Sequence, residues 1–257
     1  MLTGKFIIEP FNVNFFIMLG VTALFCFLFI LAFRKTSERT RRAAVAVLYG
    51  LTIIFFFVYK IWLGIDPEYS DLRVEGGLAA FNFWDELPLN LCNINMILIF
   101  IGVLTNSRLI LGLNFFIGSL GALFPILMPI VGFHGYSFFF PRMLGYYITH
   151  LVILCETPIL AGLNLFRPKF RDVLPTFGFF FILTAFTTGI NYLFRFIGVS
   201  DSANYFYTMN PAGNPILELL YKYIPIPGVY VLPVGLVVLP YMFLVTALFQ
   251  TEKKKRT

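Results

Sequence analysis

The sequence predicts an all-α, polytopic membrane protein, a bundle of seven transmembrane helices with the N-terminus outside and the C-terminus cytoplasmic. Of its 257 residues, 59% are hydrophobic and only 12% are charged, with 33 phenylalanines. That is about half the charge of an ordinary soluble domain. Such a chain can cover its apolar side chains only with lipid, which excludes a soluble globular enzyme and a disordered chain. Only helices or closed barrels satisfy their backbone within hydrocarbon, and the apolar runs lack the period-two alternation of barrel strands. Helices are expected throughout.

Apolar runs long enough for a window of about 19 residues occur at about 11–33, 43–63, 88–105, 109–131, 143–166, 175–195 and 228–249, and are read as one domain over 1–257. The first is too long for a signal-peptide core and lacks a small-x-small cleavage site, so it is expected to remain in place. With the N-terminus outside, 13 of the 19 basic residues fall on the inner side, in 34–42, at Arg108, in 167–171 and in 253–256. Loop lysines and arginines are retained on the cytoplasmic side, so this count sets the orientation. The net charge of +6 therefore reads as topology and as attraction to anionic headgroups, with no nucleic-acid partner expected.

The second span leads into an acidic, glycine-containing outer loop at 64–87 that includes Asp66, Glu68, Asp71, Glu75, Asp85 and Glu86. The third span opens Pro88-Leu-Asn90-Leu-Cys92-Asn93-Ile-Asn95. Asparagines in a membrane helix either hydrogen-bond to neighbouring helices or build a polar site. Cys92 and Asn95, at i,i+3, share a face. The fourth span carries Gly118-Ser-Leu-Gly121 and then Pro125 and Pro129, which predict close packing followed by a kink. Ser119 lacks the Gly-x-Ser-Gly order of a rhomboid-type nucleophile, so a serine protease is disfavoured.

The fifth span holds Tyr146, Tyr147, His150 and Glu156, and His150 is the only intramembrane histidine, because His134 falls in an outer loop. The sixth carries Asn191. Between the sixth and seventh, residues 215–224 place Glu218 and Lys222 at i,i+4 on an otherwise apolar stretch, which predicts a short helix lying in the outer interface. The seventh span contains no lysine, which excludes a retinal Schiff base. The chain contains no convincing internal repeat, which weakens an inverted-repeat transporter reading.

At about 1.5 Å per residue, Cys92 lies roughly 6 Å and His150 roughly 10 Å below the outer boundary, with Asn191 near the depth of Cys92. Depth does not say whether they face one another. If they meet, the imidazole can take the thiol proton to make an acyl-accepting nucleophile, with Asn95 or Asn191 orienting the ring or donating to an oxyanion. The opposing reading of Cys92 is a small buried hydrophobe. Glu156, near the bilayer middle, is a protonated structural acid, a cation or proton site, or a partner of nearby polar groups. The three cysteines, Cys26, Cys92 and Cys155, lie in apolar stretches with no disulfide or zinc spacing. No metal and no cofactor are expected.

Trp84-Asp-Glu-Leu-Pro-Leu-Asn-Leu-Cys92 resembles the "LPL-x-LC" opening of a span in the YwaF-like bacterial integral membrane proteins. The stretch from Phe138-Phe-Phe-Pro-Arg to Tyr146-Tyr-Ile-Thr-His150 resembles their aromatic run ending in a membrane histidine. Asn191-Tyr192, followed by Asn204-Tyr-Phe-Tyr-Thr-Met-Asn-Pro211, resembles their late Asn-aromatic segments. Order and spacing match over roughly residues 80–240. That family is similar to a vertebrate transmembrane phospholipid acyltransferase and, more distantly, to androgen-induced membrane hydrolases. The resemblance implies a nucleophile at Cys92 and its base at His150. Relatives often carry His where this chain has Asn90.

The first reading is a lipid-acting enzyme of the cell membrane, an acyltransferase or hydrolase on fatty acyl esters. In it Cys92 and His150 are catalytic, Asn95 and Asn191 support them, and 215–224 gates lipid entry, with membrane lipids as the partners. The alternative is a small transporter or ligand-binding module using Glu156 and the Asn90, Asn93 and Asn95 cluster, with Tyr146 a further polar position. A structural subunit is the third possibility.

Overall fold

The computed structural model describes residues 6–65, 81–128 and 135–254, with side chains through 251. His134, Pro129, the acids of 66–80 and the terminal basic run from Lys253 lie outside the residues or side chains described. Helix α1, Val13–Phe33, starts where the Asn12 side chain accepts from the amide of Phe15 at 2.8 Å. Helix α2 runs Glu38–Ile65 and starts earlier than the apolar window, because its first turn is polar and self-supporting. Ser37 Oγ accepts from the Thr40 amide at 3.1 Å, and Arg42 pairs with Glu38 at i,i+4.

Helix α3, Leu91–Thr105, is the third predicted span in shortened form. It begins only after Pro88, with Asn90 at the N-cap position, and it ends on Asn106 at φ 55°. Its 15 residues reach about 22 Å, less than the roughly 30 Å of a hydrocarbon core. Among the described residues six helical segments are long and apolar enough to cross a membrane, where the sequence predicts seven. The difference lies in α3: an apolar window counts Pro88 to Asn90, whereas the backbone there is bent and non-helical and follows a 3-10 turn at Phe83–Asp85.

The fourth span combines α4, Arg108–Leu113, a π-helical turn at Asn114–Gly118, and α5, Ser119–Leu127. The sequence placed the irregularity at the prolines, but the break comes at Asn114–Gly118. The fifth combines α6, Pro141–Leu154, and α7, Glu156–Gly162, with the break at Cys155. Helix α8 runs Phe170–Phe196 and is tied to α4 by Arg108 and Asp172 at 2.5 Å. Helix α9, Pro215–Tyr223, is capped by Asn214 and buries none of its residues, as expected of an interfacial helix. A 3-10 turn at Leu232–Val234 leads into α10, Gly235–Lys254. Among the described residues the only strand-like feature is one backbone bridge between Ile7 and Ser137.

The centre of the bundle is formed by the two broken spans. Their most apolar windows are each 56% buried, against 22% for α1. Helix α2 packs on α3 and α6, α4 on α8, α5 on α6, and α8 on α10. The outer faces of α1 and α2 expose Leu24, Phe27, Ile54, Val58 and Ile61, and such a continuous apolar surface is stable only against lipid.

Candidate functional site

Several of the polar groups line one cavity of about 440 Å³ at the end of the bundle that carries the N-terminus of α3. Cys92 and His150 both line it, Cys92 from the first turn of α3 and His150 from α6. The cavity is chemically divided. Lys60, Asp85, Glu86 and Arg142 form a charged part of the wall, while Phe124, Met128, Phe180, Phe181, Val231 and Val234 form an apolar part.

His150 is fixed by its own helix. Its Nδ1 lies 2.7 Å from the carbonyl of Tyr146, one turn earlier. A carbonyl only accepts, so Nδ1 carries the hydrogen and Nε2 is the basic nitrogen. The Tyr146 ring packs at 4.3 Å from the imidazole, and its hydroxyl donates to the Pro125 carbonyl at 2.6 Å, which joins α6 to α5. The Cys92 thiol is directed at Asn93 Oδ1, 3.7 Å away. Cys92 and His150 thus share a wall without a hydrogen bond between them.

The charged part is a relay of three residues. The two carboxylate oxygens of Glu86 each take one cation, Lys60 Nζ on Oε2 and Arg142 Nη2 on Oε1. Burial pushes the Glu86 carboxyl up, but the two cations outweigh it and hold the group below its ordinary value. Asp85 beside it accepts from Ser200 and Ser202. Charge counting read these residues only as members of the outer loops and span ends. Their signal was positional: one lysine, one arginine and a Trp-Asp-Glu turn, each beside the outer end of a predicted span.

The remaining expected residues divide. Asn90 and Asn93 lie on the cavity wall, and Asn90 Oδ1 accepts from the Phe206 amide at 3.4 Å. Asn95 does not line the cavity; it is fully buried and its amide has no hydrogen-bond partner among the described residues. Asn191 is also off the wall. Its Nδ2 donates to the Tyr205 carbonyl and to Thr208 Oγ1, both at 2.9 Å, and its Oδ1 accepts from the Tyr205 amide at 2.9 Å. It therefore anchors the 204–208 segment, which delivers Phe206 and Tyr207 to the cavity with left-handed backbones, φ 57° and 53°. Such strain in non-glycine residues is commonly held at ligand clamps.

Glu156 is fully buried away from the cavity wall, so it does not form one site with Asn90 and Asn93. Cys26 and Cys155 are buried free thiols, also off the wall. No group of three or more His, Cys, Asp or Glu suited to a metal occurs among the described residues.

The profile of the TMEM164 family matches residues 10–246. Neither the comparison with curated proteins nor the comparison with solved structures returns a match.

Proposed function

The chain belongs to the TMEM164 family, a family of transmembrane proteins, and we propose that it is a lipid-acting membrane enzyme, an acyltransferase or hydrolase of fatty acyl esters. The observation that carries this reading is the placement of Cys92 and His150, from two helices, on the wall of one cavity that is charged in one part and apolar in another. An amphiphile fits such a division, with its ester near the thiol and its acyl chain along Phe124, Phe180 and Phe181.

His150 Nε2 takes the Cys92 Sγ proton as the sulfur attacks the ester carbonyl. Collapse of the tetrahedral intermediate forms a thioester and expels the alcohol, which takes the proton back from the imidazole. A second alcohol then attacks in acyl transfer, or water in hydrolysis, and regenerates the thiol. The thiol must turn from Asn93 to the imidazole, a bond of the kind that often tightens only with substrate bound. The α9 helix carries Ile216 and Leu217 to the cavity wall, which supports its reading as the lipid gate. No cofactor takes part in this scheme.

In the membrane, α3 completes a set of seven spans with the N-terminus outside. This orientation puts the cavity in the outer half of the cell membrane and the basic inner loops against anionic headgroups. Labelling with an acyl-chain maleimide in lipid nanodiscs tests the reading. Cys92 is expected to react faster than Cys26 and Cys155 at neutral pH, and His150→Ala is expected to abolish that advantage. Equal, slow labelling of all three thiols regardless of His150 removes the basis for catalysis.

A further inference from the structure

We propose that Glu156 is a neutral carboxylic acid that donates its Oε1 hydrogen to Asn114 Oδ1. The resulting acid–amide pair is the positioning clasp between the Cys92 helix and the fifth span, which carries His150. Asn114 Nδ2 has two hydrogens and uses both, one to the Asn95 carbonyl at 2.7 Å and one to Glu156 Oε2 at 3.2 Å. What remains is the second oxygen of each group. Glu156 Oε1 and Asn114 Oδ1 are both buried and both lack a hydrogen-bond partner among the described residues.

An ionised carboxylate can only accept, so it leaves the Asn114 oxygen unserved. A carboxylic acid brings one hydrogen that serves both atoms and closes a ring of two hydrogen bonds. Glu156 makes no ion pair among the described residues, and an unpaired charge at that depth is disfavoured by loss of solvation.

The backbone is shaped around this pair. The π turn at Asn114–Gly118 and the break at Cys155 bring the two side chains together. A Cβ on Gly118 would collide with the Glu156 carboxyl, so any larger residue there must displace it from Asn114. On the flank, Ser119 Oγ donates to the Leu154 carbonyl at 2.7 Å and accepts from the Thr157 amide at 3.0 Å, which closes the break. Asn95 lies one turn after Cys92 on α3, and Glu156 lies six residues after His150. Asn114 therefore links α3 to the fifth span, where α7 follows the His150 helix α6 across the break at Cys155. The positioning role rests on Cys92 and His150 as the reacting pair; the protonation does not.

The test compares infrared spectra of wild type and Glu156→Gln in nanodiscs at neutral pH. A protonated-carboxyl carbonyl band is expected in wild type, absent in Glu156→Gln and displaced in Asn114→Leu. Acyl-maleimide labelling of Cys92 is expected at the wild-type rate in Glu156→Gln, whose amide donates to Asn114 Oδ1, and several-fold slower in Glu156→Ala. A carboxylate band in place of the acid band, or a melting temperature raised by sodium but not potassium chloride, overturns the protonation in favour of an ion site. An acid band with unchanged labelling in Glu156→Ala overturns the positioning role alone. Labelling unchanged by His150→Ala is instead a failure of the catalytic reading.

Discussion

Asn191 grips Tyr205 from both sides of its peptide unit: one side-chain amide donates to the Tyr205 carbonyl and accepts from the Tyr205 N–H. The 204–208 segment has left-handed residues at 206 and 207 and a short 3-10 turn with two backbone hydrogen bonds, from Tyr207 to Asn204 and from Thr208 to Tyr205, so this side chain serves the groups at Tyr205 that the turn leaves over. Asn191→Leu removes three hydrogen bonds at a fully buried position and leaves backbone groups unpaired, a loss of about 2–4 kcal/mol. The expected outcome is a lower melting temperature with proteolysis appearing at 204–208. The Cys92 labelling rate per folded molecule should hold far better than the stability does. A variant of full stability but reduced Cys92 reactivity would return Asn191 to a role at the reacting atoms.

Glu86 predicts a definite acid limit. Its carboxyl titrates lower in the folded protein than in the unfolded chain. The stability it contributes is therefore complete above the ordinary glutamate value of about 4.3 and is lost as pH falls through the lower folded-state value. Glu86→Gln leaves Lys60 and Arg142 adjacent without their shared carboxylate, in a setting where Glu86 is only 12% exposed. Breaking a buried pair in this way costs roughly 3–5 kcal/mol at neutral pH. Melting curves against pH should show wild type falling below pH 4 or so, and the variant starting lower and falling less. An equal acid slope in both would place the transition elsewhere.

These two residues also mark how far the sequence could be read. Hydropathy and charge placed the apolar helices and the short helix at 215–224, observed at Pro215–Tyr223, because both signals are local. It also put Asn191 at the depth of Cys92. Depth along a helix comes from residue count, but the direction of a side chain around it depends on which neighbour packs there, and Asn191 turns to the 204–208 segment. Asn114 sat unnoticed between Leu113 and Phe115, since one amide barely alters a window average. The break at Cys155 has a proline three residues on, Pro158, that the reading passed over, while the turn at Asn114–Gly118 meets Glu156 of the fifth span, a tertiary contact that no local window registers. The shortened α3 was missed because a window counts apolar residues without testing whether Pro88 lets the helix begin.

Gly118 and Gly20 make a matched pair for the packing claim. Each is a glycine in a membrane helix, yet a methyl group on Gly118 collides with Glu156, while one on Gly20 meets nothing within 4 Å. Gly118→Ala must push the Glu156 side chain off Asn114 or shift α7, a loss of roughly 1–3 kcal/mol for overpacking, with further loss where Asn114 is left unpaired. Gly20→Ala should be neutral to slightly stabilising, because alanine is the better helix former by about 1 kcal/mol. Thermal melting in one detergent or nanodisc composition compares them directly. Equal effects at the two sites would mean that the Glu156 contact does not constrain the fold.

Thr176 offers the opposite kind of change. Its hydroxyl is fully buried on α8 against Gly112 of α4 and has no hydrogen-bond partner among the described residues. Threonines elsewhere on α8, such as Thr184 and Thr187, donate to the carbonyl one turn back at 2.9 and 3.0 Å. Thr176 does not. An unmade bond in a dry interface costs about 1–3 kcal/mol, and valine keeps nearly the same shape without the polar atom. Thr176→Val is therefore expected to raise the melting temperature, whereas Thr187→Val, which removes a made bond, should be neutral or lower it. If Thr176→Val destabilises the protein instead, its hydroxyl has a partner in the membrane-embedded molecule, and the α4–α8 contact is wetter than its burial implies.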